Sequence, residues 1–498
     1  MMDKVFLSKS SYCDCLQCEK IYWMKKHKKQ EASAEANDSA LSRGKVVGEF
    51  AKGLFKNHVD VAADEDINLR VQKTENLLKD TPNVITEASF IFNNNFCSVD
   101  ILKNDEDGVE IYEVKSSTKI KDIYLEDVAY QYYVLSNLGV NVKKASIVYI
   151  NKEYVRQGDV DINQVFNTED VTGICIQKQE EIRDNIDFIN EFMSMHDGSS
   201  EPSKDIGEHC FGPYMCNFWD YCTRHLPHPN VFDIRGMQTR TKLKKYDEGK
   251  VSFEDLENED INPKYLQQID FELHDREPRI NRDAIKDFLS NLKYPLYFID
   301  YEACQYAIPE YEGTRPYQQI PFQYSLHIIR EEGAPVEHKE FLGEAGDENL
   351  IRTFAENMIS DLSENGSVIV YNRTFEESHV NKKLAEMFPD LACEIERINS
   401  NIVDLMVPFK NRDYYVRQME GSYSIKYVLP ALYPDDEELN YANLPVVHNG
   451  GEASDAFLSL KDKTPEEQAE IREGLLKYCG LDTWAMVKIW EKFREVTR

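Results

Sequence analysis

The sequence has no long apolar run and no excess of positive charge. Although 42% of its 498 residues are hydrophobic, no stretch is long enough for a secretory signal peptide or a membrane-spanning helix. It carries 58 Lys and Arg residues against 89 Asp and Glu residues, for a formal net charge of −31. We therefore expect a cytoplasmic protein without a membrane partner. We exclude a protein that coats DNA by bulk electrostatics, because phosphate binding draws on Lys and Arg.

A nucleotide-driven motor motif is also missing. No Gly-x4-Gly-Lys-Ser/Thr segment occurs, so any unwinding of a duplex would need a helicase or another motor as partner. Two basic patches could still form a local groove. They are residues 25–29 and the group Arg235, Arg240, Lys242, Lys244 and Lys245. Neither has interleaved aromatic residues, so a solvated helix face is the other interpretation of each.

Length and cysteine content set further bounds. A chain of 498 residues predicts two to four domains. The eleven cysteines should be reduced in a cytoplasmic protein, where clustered cysteines indicate a metal centre rather than disulfides.

The first half of the chain is organised around two short apolar runs, residues 97–101 and 109–115, which predict a β-hairpin. Strand alternation places Glu113 and Lys115 on one face, with Asp100 on the neighbouring strand. Two carboxylates and an ammonium group are costly to bury unless a divalent cation and a phosphate use them. The pattern predicts a hydrolytic metal site; the alternative is a solvated sheet edge with a weak salt bridge.

An Asp followed by Glu-x-Lys in an apolar strand resembles the core of the PD-(D/E)XK nucleases. The most similar branch is the RecB family, in which a Gln-bearing helix follows; here the helix predicted over residues 125–138 carries Gln131. The resemblance implies that Asp100 and Glu113 bind Mg²⁺ or Mn²⁺ and that Lys115 orients or activates the attacking water.

Two further acids are candidates in this amino-terminal site. RecB-type nucleases often carry a metal ligand, commonly His, on their first helix, and Glu49 on the helix predicted over residues 41–55 is nearest to that place. Glu87 lies on a predicted strand beside Asp100, where a plain strand-edge carboxylate is the alternative.

Cysteines cluster on both sides of the nuclease-like core, with Cys13, Cys15 and Cys18 before it and Cys210, Cys216 and Cys222 after it. One Cys before the core and three after it resemble the iron–sulphur staple of RecB-family exonucleases, including the CRISPR-associated exonuclease and AddB types. The resemblance implies a 4Fe–4S cluster on Cys18, Cys210, Cys216 and Cys222, with Cys13 and Cys15 as reserves for Cys18. Spacing alone leaves structural Zn²⁺ open. We interpret the remaining cysteines as buried free thiols: Cys97, Cys175, Cys304, Cys393 and Cys479.

Strand character returns at residues 294–302, where Asp300 and Glu302 share one face. Paired acids repel each other unless cations bridge them, and two metal ions that clamp a phosphodiester are one solution. This segment resembles the first motif of DnaQ-like DEDD exonucleases, Asp-x-Glu on the first strand of an RNase H-like fold.

The later motifs follow in the order of that family. Residues 368–376 resemble the second motif, with Glu376 where Asp is expected. Tyr478 and Asp482 match the Tyr-x-x-x-Asp third motif, predicted to open a helix. The resemblance implies that Asp300, Glu302, Glu376 and Asp482 hold two metals and that Tyr478 positions the water. Asp404 is a fallback ligand, and His448 with Asp455 is a rival third motif.

These patterns predict an α/β protein of two domains. Residues 1–225 form a PD-(D/E)XK, restriction-endonuclease-like domain with the cysteine cluster, 226–292 a connector with short helices, and 293–498 an RNase H-like exonuclease domain. The order resembles a bacterial family of unassigned function. It implies a metal-dependent nuclease acting on DNA single strands or ends, in repair, recombination or defence. The alternatives are an end-binding scaffold with one inactive core and an RNA-processing nuclease.

Overall fold

The computed structural model describes residues 6–33, 38–61 and 66–498, with the side chains of residues 38–41 excepted. The chain divides into two compact units. The first unit comprises Met1–Leu226 with Ala307–Tyr317, and the second comprises Pro227–Tyr306 with Gln318–Arg498. Both combine helices with strands, so the chain is of mixed α/β class.

A seven-stranded sheet forms the centre of the first unit. Its strands are β1 (Leu7–Ser8), β2 (His58–Asp60), β3 (Asn83–Phe92), β4 (Asn95–Asp105), β5 (Gly108–Lys115), β6 (Val142–Ile150) and β7 (Phe166–Asp170). The order is β2-β3-β4-β5-β6-β7, and β1 pairs with β4. Strands β3, β4 and β5 are successively antiparallel, whereas β6 is parallel to β5. The β4–β5 pair confirms the predicted hairpin.

The helices of the first unit flank this sheet. They are α1 (Lys9–Gln17), α2 (Glu19–His27), α3 (Asp38–Lys52), α4 (Ile67–Leu77), α5 (Asp122–Asn137), α6 (Ile162–Val165), α7 (Thr172–Gln177), α8 (Gln179–Met195) and α9 (Trp219–Thr223). Helix α5 makes the crossover that parallel β5 and β6 require. It buries Val128, Val134 and Leu135 at helical spacing and is followed by Gly139 at a φ of +82°, where the sequence predicts the stop.

The second unit is built on a five-stranded sheet with a separate two-stranded ribbon. Its strands are β8 (Arg279–Ile280), β9 (Leu296–Gln305), β10 (Gln319–Ile329), β11 (Glu337–Leu342), β12 (Ser367–Val370), β13 (Ile402–Asp404) and β14 (Tyr414–Tyr415). The large sheet has the order β11-β10-β9-β12-β13, and β14 pairs with β8. Strands β9, β10 and β11 are successively antiparallel, whereas β12 and β13 run parallel to β9.

Eleven α-helices and one π-helix complete the described part of the second unit. They are α10 (Thr239–Asp247), α11 (Phe253–Leu256), α12 (Pro263–His274), α13 (Arg282–Ser290), α14 (Leu350–Asp361), the π-helix Phe375–Asn381, α15 (Lys382–Met387), α16 (Ala392–Ser400), α17 (Val407–Lys410), α18 (Ile425–Leu432), α19 (Gly450–Ser459) and α20 (Pro465–Thr497).

The positions of Tyr478 and Asp482 in α20 differ from the expectation. The sequence predicts that the segment of Tyr478 and Asp482 opens a helix, but both residues lie well inside α20. The helix starts at a capping box of Thr464 and Glu467, with proline at its first position. Gly480 does not end it, since a glycine in a helix interior costs only about 1 kcal/mol.

The segment expected as a connector is folded. Helices α10, α11, α12 and α13 lie within residues 226–292, and the segment belongs to the second unit. A small apolar core holds it together, formed by Val231, Ile234, Met237, Phe253, Leu256 and Ile269. The separate segment Ala307–Tyr317 belongs to the first unit. Across the described ranges, no helix combines the length and apolar content that crossing a membrane requires.

Candidate active sites

Three acidic side chains converge in the second unit. Asp300 and Glu302 extend from the same face of β9, and Asp482 comes from α20. Each offers a carboxylate oxygen that lies within 4.8 Å of those of the other two. Among the described residues, no other group of three or more His, Cys, Asp or Glu side chains meets this distance. The three residues could therefore hold a metal ion.

Burial and mutual repulsion disfavour the charged forms of these acids. Desolvation, followed by the charges of Asp482 and Glu302, holds the pKa of Asp300 well above its ordinary range. Burial also raises the pKa of Asp482 to about 6, although a hydrogen bond from Tyr441 and the charge of Lys426 act in the other direction. The Tyr441 hydroxyl donates to Asp482 Oδ1 at 2.6 Å. A cation would relieve the repulsion, which makes this the natural place for one.

Glu376 lies on the π-helix and borders the same cleft, whose volume is about 200 Å³. The cleft is lined by Asp300, Tyr301, Glu302, Tyr371, Asn372, Phe375, Glu376, Ile425, Lys426, Tyr478, Asp482 and Met486. Glu376 Oε2 is buried and has no hydrogen-bond partner, and burial raises the pKa of Glu376 to about 8. An orphaned buried acceptor costs about 1–3 kcal/mol, so this oxygen is placed where a ligand could satisfy it. Such π-helical turns are frequent at functional sites.

Tyr478 and Lys426 add polar groups to this cleft. Burial, with the charges of Asp482 and Glu302, holds the pKa of Tyr478 well above its ordinary value, so its hydroxyl keeps its proton. Lys426, on α18, places its ammonium nitrogen 5.7 Å from the ring centroids of both Tyr441 and Tyr478. No local sequence pattern marks Lys426 or Tyr441 as part of this site.

The two alternative ligands lie outside the lining of this cleft. Asp404 accepts hydrogen bonds from the backbone N–H groups of Asn372, Arg373 and Met406 at 3.1, 3.3 and 3.0 Å. Its carboxylate therefore holds the chain at the ends of β12 and β13. His448 is 44% exposed and bonds Glu452 at 2.9 Å. The structure thus brings Tyr478, rather than His448, to the acidic cluster.

In the first unit the hairpin brings the nuclease-like residues together. Lys115 Nζ lies 2.6 Å from Glu113 Oε1, and the Gln131 amide donates to Glu113 Oε2 at 2.7 Å. Asp100 Oδ2 accepts the backbone N–H of Val114 at 2.7 Å. Glu113 and Gln131 are buried, whereas Asp100 and Lys115 are partly exposed. The hairpin and α5 therefore bring the four predicted residues together.

Two further charged residues belong to this site, beyond those that the sequence predicts. Lys9, at the start of α1, places Nζ 2.9 Å from Glu113 Oε1 and 3.3 Å from Asp127 Oδ1. Asp127 also receives Lys115 Nζ at 2.5 Å. The position of Asp127, one helical turn before Gln131, is a usable signal because residues four apart share a helix face. Nothing in the pattern around Lys9 indicates its role.

The charges of this site are strongly coupled. Burial raises the pKa of Glu113 to about 7, helped by Asp100 and Asp127 and opposed by Lys115 and Lys9. Desolvation also raises the pKa of Asp100. Burial would raise the pKa of Asp127 too, but the charges of Lys115 and Lys9 outweigh it and hold that pKa below its ordinary value. Two ammonium groups thus balance part of the charge of three carboxyls.

The two extra acidic candidates differ in their surroundings. Glu49 is 73% exposed and pairs with Lys52 at 2.8 Å, so the structure does not bring it to Glu113. Glu87 lies at an irregular point of β3, with a φ of +56°, and accepts the Ser98 hydroxyl at 2.9 Å. Its charge contributes to the raised pKa of Asp100. Of the two candidates, Glu87 therefore lies nearer to Asp100 and the amino-terminal site.

Four cysteines line one small cavity, of about 20 Å³, in the first unit. They are Cys18, Cys210, Cys216 and Cys222, the four that the resemblance to the iron–sulphur exonucleases implies. The reserves Cys13 and Cys15 are not part of this lining. Cys18 lies in extended backbone between α1 and α2. These thiols could bind a metal centre.

The sulphur atoms of the cysteine cavity are spread apart. No three of its sulphur atoms lie within 4.8 Å of one another, since the acidic triad alone meets that distance in the described chain. A single Zn²⁺ with Zn–S bonds of about 2.3 Å in a tetrahedron would hold its sulphurs about 3.8 Å apart. Burial raises the pKa of Cys216 to about 11, so its thiol is protonated when no metal is bound.

The other cysteines mostly match their interpretation. Cys97, Cys175, Cys304 and Cys479 are buried and form no disulfide. The expectation for Cys393 is wrong, because this residue is exposed. It lies in the first turn of α16, a helix whose buried residues are Ile395 and Ile398.

The comparisons with known proteins give one match. A family model described as a domain of unknown function (DUF2779) matches residues 297–424. The matched range contains Asp300, Glu302 and Glu376, but it ends before Tyr478 and Asp482. No curated protein and no solved structure matches the chain.

Proposed function

We propose that this protein is a divalent-metal-dependent nuclease with two active sites, one in each unit. The observation that carries the proposal is the convergence of Asp300, Glu302 and Asp482, whose carboxylate oxygens lie within 4.8 Å of one another. Burying carboxylates without a balancing cation costs free energy, so a buried group of them indicates a functional site, such as a catalytic metal site. Separate acidic sites in the two units favour phosphodiester hydrolysis over a single structural metal site.

The fold supports the same assignment. Asp300 and Glu302 lie on β9, which is the first strand in chain order and the central strand of the five-stranded sheet. This is the framework that an RNase H-like, DnaQ-type exonuclease requires of its first motif. In the first unit, antiparallel β3, β4 and β5 precede α5 and a parallel β6, a suitable core for a PD-(D/E)XK nuclease.

The carboxy-terminal site fits Mg²⁺ or Mn²⁺, because its donors are hard carboxylate oxygens. Asp300, Glu302 and Asp482 would hold the metal, and the unpartnered Glu376 Oε2 is available as a further ligand. Such ions supply Lewis-acid polarisation of the phosphate and an acidified water. The protonated Tyr478 hydroxyl would position the attacking water, and Lys426 would face the phosphate of the departing nucleotide. Nucleotides would leave from a 3′ end.

In the amino-terminal site the roles divide among neighbouring side chains. Asp100 and Glu113 would hold Mg²⁺ or Mn²⁺, and Gln131 fixes Glu113 by donating a hydrogen bond to Oε2. Lys115 would orient the water and offset the charge that develops on the phosphate. Lys9 and Asp127 hold Lys115 and Glu113 in position through the ion pairs described above.

The cysteine cavity would hold a 4Fe–4S cluster, with a structural Zn²⁺ as the alternative. Its support is that four thiols border one cavity. Cys18 precedes the nuclease core and the other three follow it, so the cluster would link the segments on either side of the core.

A second candidate function is an end-binding scaffold in which the amino-terminal site has lost catalysis. The observation that favours it is the double neutralisation of Glu113, which accepts ion pairs from both Lys9 and Lys115. Two ammonium groups on one carboxylate compete with a metal ion for it.

A digestion panel tests the proposal. Anaerobically purified protein is incubated with end-labelled single-stranded DNA, duplex DNA with and without overhangs, and RNA of the same sequence, in Mg²⁺, Mn²⁺ or EDTA. We expect the metal ions, but not EDTA, to support shortening of at least the single strands. Binding of ends without shortening in either metal would instead support the scaffold. Preferential digestion of RNA would make the protein an RNA-processing nuclease.

A further inference from the structure

A loop between two cysteines of the cavity reaches toward the amino-terminal site. The Gln17 side chain of α1 donates to the carbonyls of His209 and Tyr214 at 2.8 and 2.7 Å. The Cys216 N–H closes the loop onto the Cys210 carbonyl at 2.9 Å. The loop is therefore held at both ends and at its tip, yet Tyr214 at that tip is 51% exposed.

Tyr214 meets a second tyrosine and two lysines there. Lys121, just before α5, places Nζ 5.2 Å from the Tyr214 ring centroid and 5.7 Å from that of Tyr124. Lys115 Nζ lies 5.3 Å from the Tyr124 centroid. The two rings and two ammonium groups thus form a continuous patch that starts at Lys115. We call it the tyrosine patch: Lys115, Lys121, Tyr124 and Tyr214.

The tyrosine patch has the composition of a surface that binds unpaired bases. Single-stranded nucleic acid is bound by cations that follow the backbone and by aromatic rings on which successive bases stack. Here the interleaving arises because a loop near residue 214 folds back over the start of α5.

We propose that Tyr124 and Tyr214 stack against unpaired bases of single-stranded nucleic acid while Lys121 and Lys115 hold its phosphates at the amino-terminal site. The inference rests on the proposed nuclease function and deepens it, since it names the substrate as a single strand. In a duplex each base is stacked between its neighbours, so the exposed Tyr214 ring could not stack against a base. A protein that only followed the phosphate backbone would gain little from tyrosine at these positions.

The test combines cross-linking with affinity. Full-length protein is mixed in Ca²⁺ with a fluorescein-labelled single strand that contains 5-iodouracil, as DNA and as RNA, and irradiated. We expect mass spectrometry to map a cross-link to Tyr124 or Tyr214. By fluorescence anisotropy, Tyr214→Leu should weaken binding by about 5- to 150-fold, the range for losing one stacked base. Tyr214→Phe should retain most of the affinity, because the ring remains.

Controls separate this inference from the function on which it rests. Tyr294→Leu removes a partly exposed tyrosine of the second unit and should bind as the wild type does. An abasic strand should bind the wild type more weakly than the natural strand, and Tyr214→Leu should reduce that difference. Cross-links confined to other residues, with an unchanged affinity for Tyr214→Leu, would overturn the tyrosine patch while leaving the nuclease intact. A wild-type protein that neither binds nor cuts any strand would overturn both.

Discussion

Lys9 Nζ lies 2.9 Å from Oε1 of Glu113, although 104 positions separate the two residues. The same nitrogen is 3.3 Å from Asp127 Oδ1, so the first turn of α1 ties the hairpin to α5. Burial raises the pKa of Glu113 to about 7, and Lys9 is one of the two cations that oppose this. The ionised form of the candidate metal ligand therefore depends in part on a residue from the amino-terminal helix.

Replacing Lys9 with methionine should destabilise the first unit. Lys9→Met leaves Glu113 and Asp127 with Lys115 as their remaining cation, and breaking a buried pair in this way costs about 3–5 kcal/mol. Urea unfolding measures the loss. Lys25→Met is the matched control, because Lys25 is 47% exposed and pairs with Asp14, and such surface pairs contribute at most about 1 kcal/mol. Equal losses in both variants would show that the Lys9 pair is no stronger than a surface one.

The same variant should shift the metal dependence of the amino-terminal site. Without Lys9 the pKa of Glu113 rises further above about 7, since one of the two opposing cations is gone. Metal must then displace a proton at neutral pH, so Mn²⁺ activation of this site should move to higher pH. The measurement is digestion against pH in an Asp300→Asn background, with and without Lys9→Met. An unchanged profile would contradict the assigned role of Lys9.

Glu376 should make the metal-free protein less stable at high pH. Its pKa in the folded protein, about 8, is above the value of 4.5 for an ordinary Glu side chain. The stability gained from the neutral form is therefore complete below the unfolded pKa and is lost as the pH rises through about 8. In EDTA, Glu376→Gln should raise the melting temperature at about pH 9 and have a smaller effect at about pH 5. The exposed Glu340→Gln serves as control. A pH-independent difference for Glu376→Gln would contradict the raised pKa.

Tyr441 is expected to position Asp482 for metal binding. Its hydroxyl donates to Asp482 Oδ1 at 2.6 Å and lowers the pKa that burial raises. Tyr441→Phe should therefore weaken Mn²⁺ binding about tenfold near pH 6 and less near pH 8, as followed by electron paramagnetic resonance. Tyr433→Phe is the matched control, because that hydroxyl bonds the Lys488 carbonyl. A loss of the same size at both pH values would point to a purely structural effect.

An iron–sulphur cluster in the cysteine cavity should be detectable by iron content and visible absorbance. Anaerobically purified wild-type protein should contain iron and absorb visible light, and Cys216→Ser should lose both because one of four thiolates is missing. Cys393→Ser should keep both, since Cys393 is exposed and outside the cavity. Colourless protein that contains one zinc ion per chain would instead identify a structural Zn²⁺ site.

Strand periodicity explains why much of both sites could be predicted. Side chains two residues apart share a strand face, so Glu113 with Lys115 and Asp300 with Glu302 follow from short apolar runs. The helix of Gln131 follows from its apolar spacing and from Gly139 at its end. Cys18 was singled out by its place in a family-like pattern, and it does line the cysteine cavity.

Long-range packing explains the parts that could not be predicted. Lys9, Tyr441 and Tyr214 reach their sites from segments with no local pattern that marks them. The sequence predicts that the motif of Tyr478 and Asp482 opens a helix, whereas buried residues on both sides of Gly480 show that α20 continues through it. The π-helix that holds Glu376 has no sequence signal.

The most direct test is digestion of a 5′-labelled single strand by Asp100→Ala, Asp300→Ala and the double variant, beside the wild type. Asp159→Ala and Glu340→Gln, at exposed positions of the first and second units, serve as controls. Each single variant should lose one part of the activity, with the stepwise shortening from the 3′ end abolished by Asp300→Ala, and the double variant should be inactive in Mg²⁺ and Mn²⁺. A double variant that digests the strand as fast as the wild type would contradict the assignment of both acidic sites.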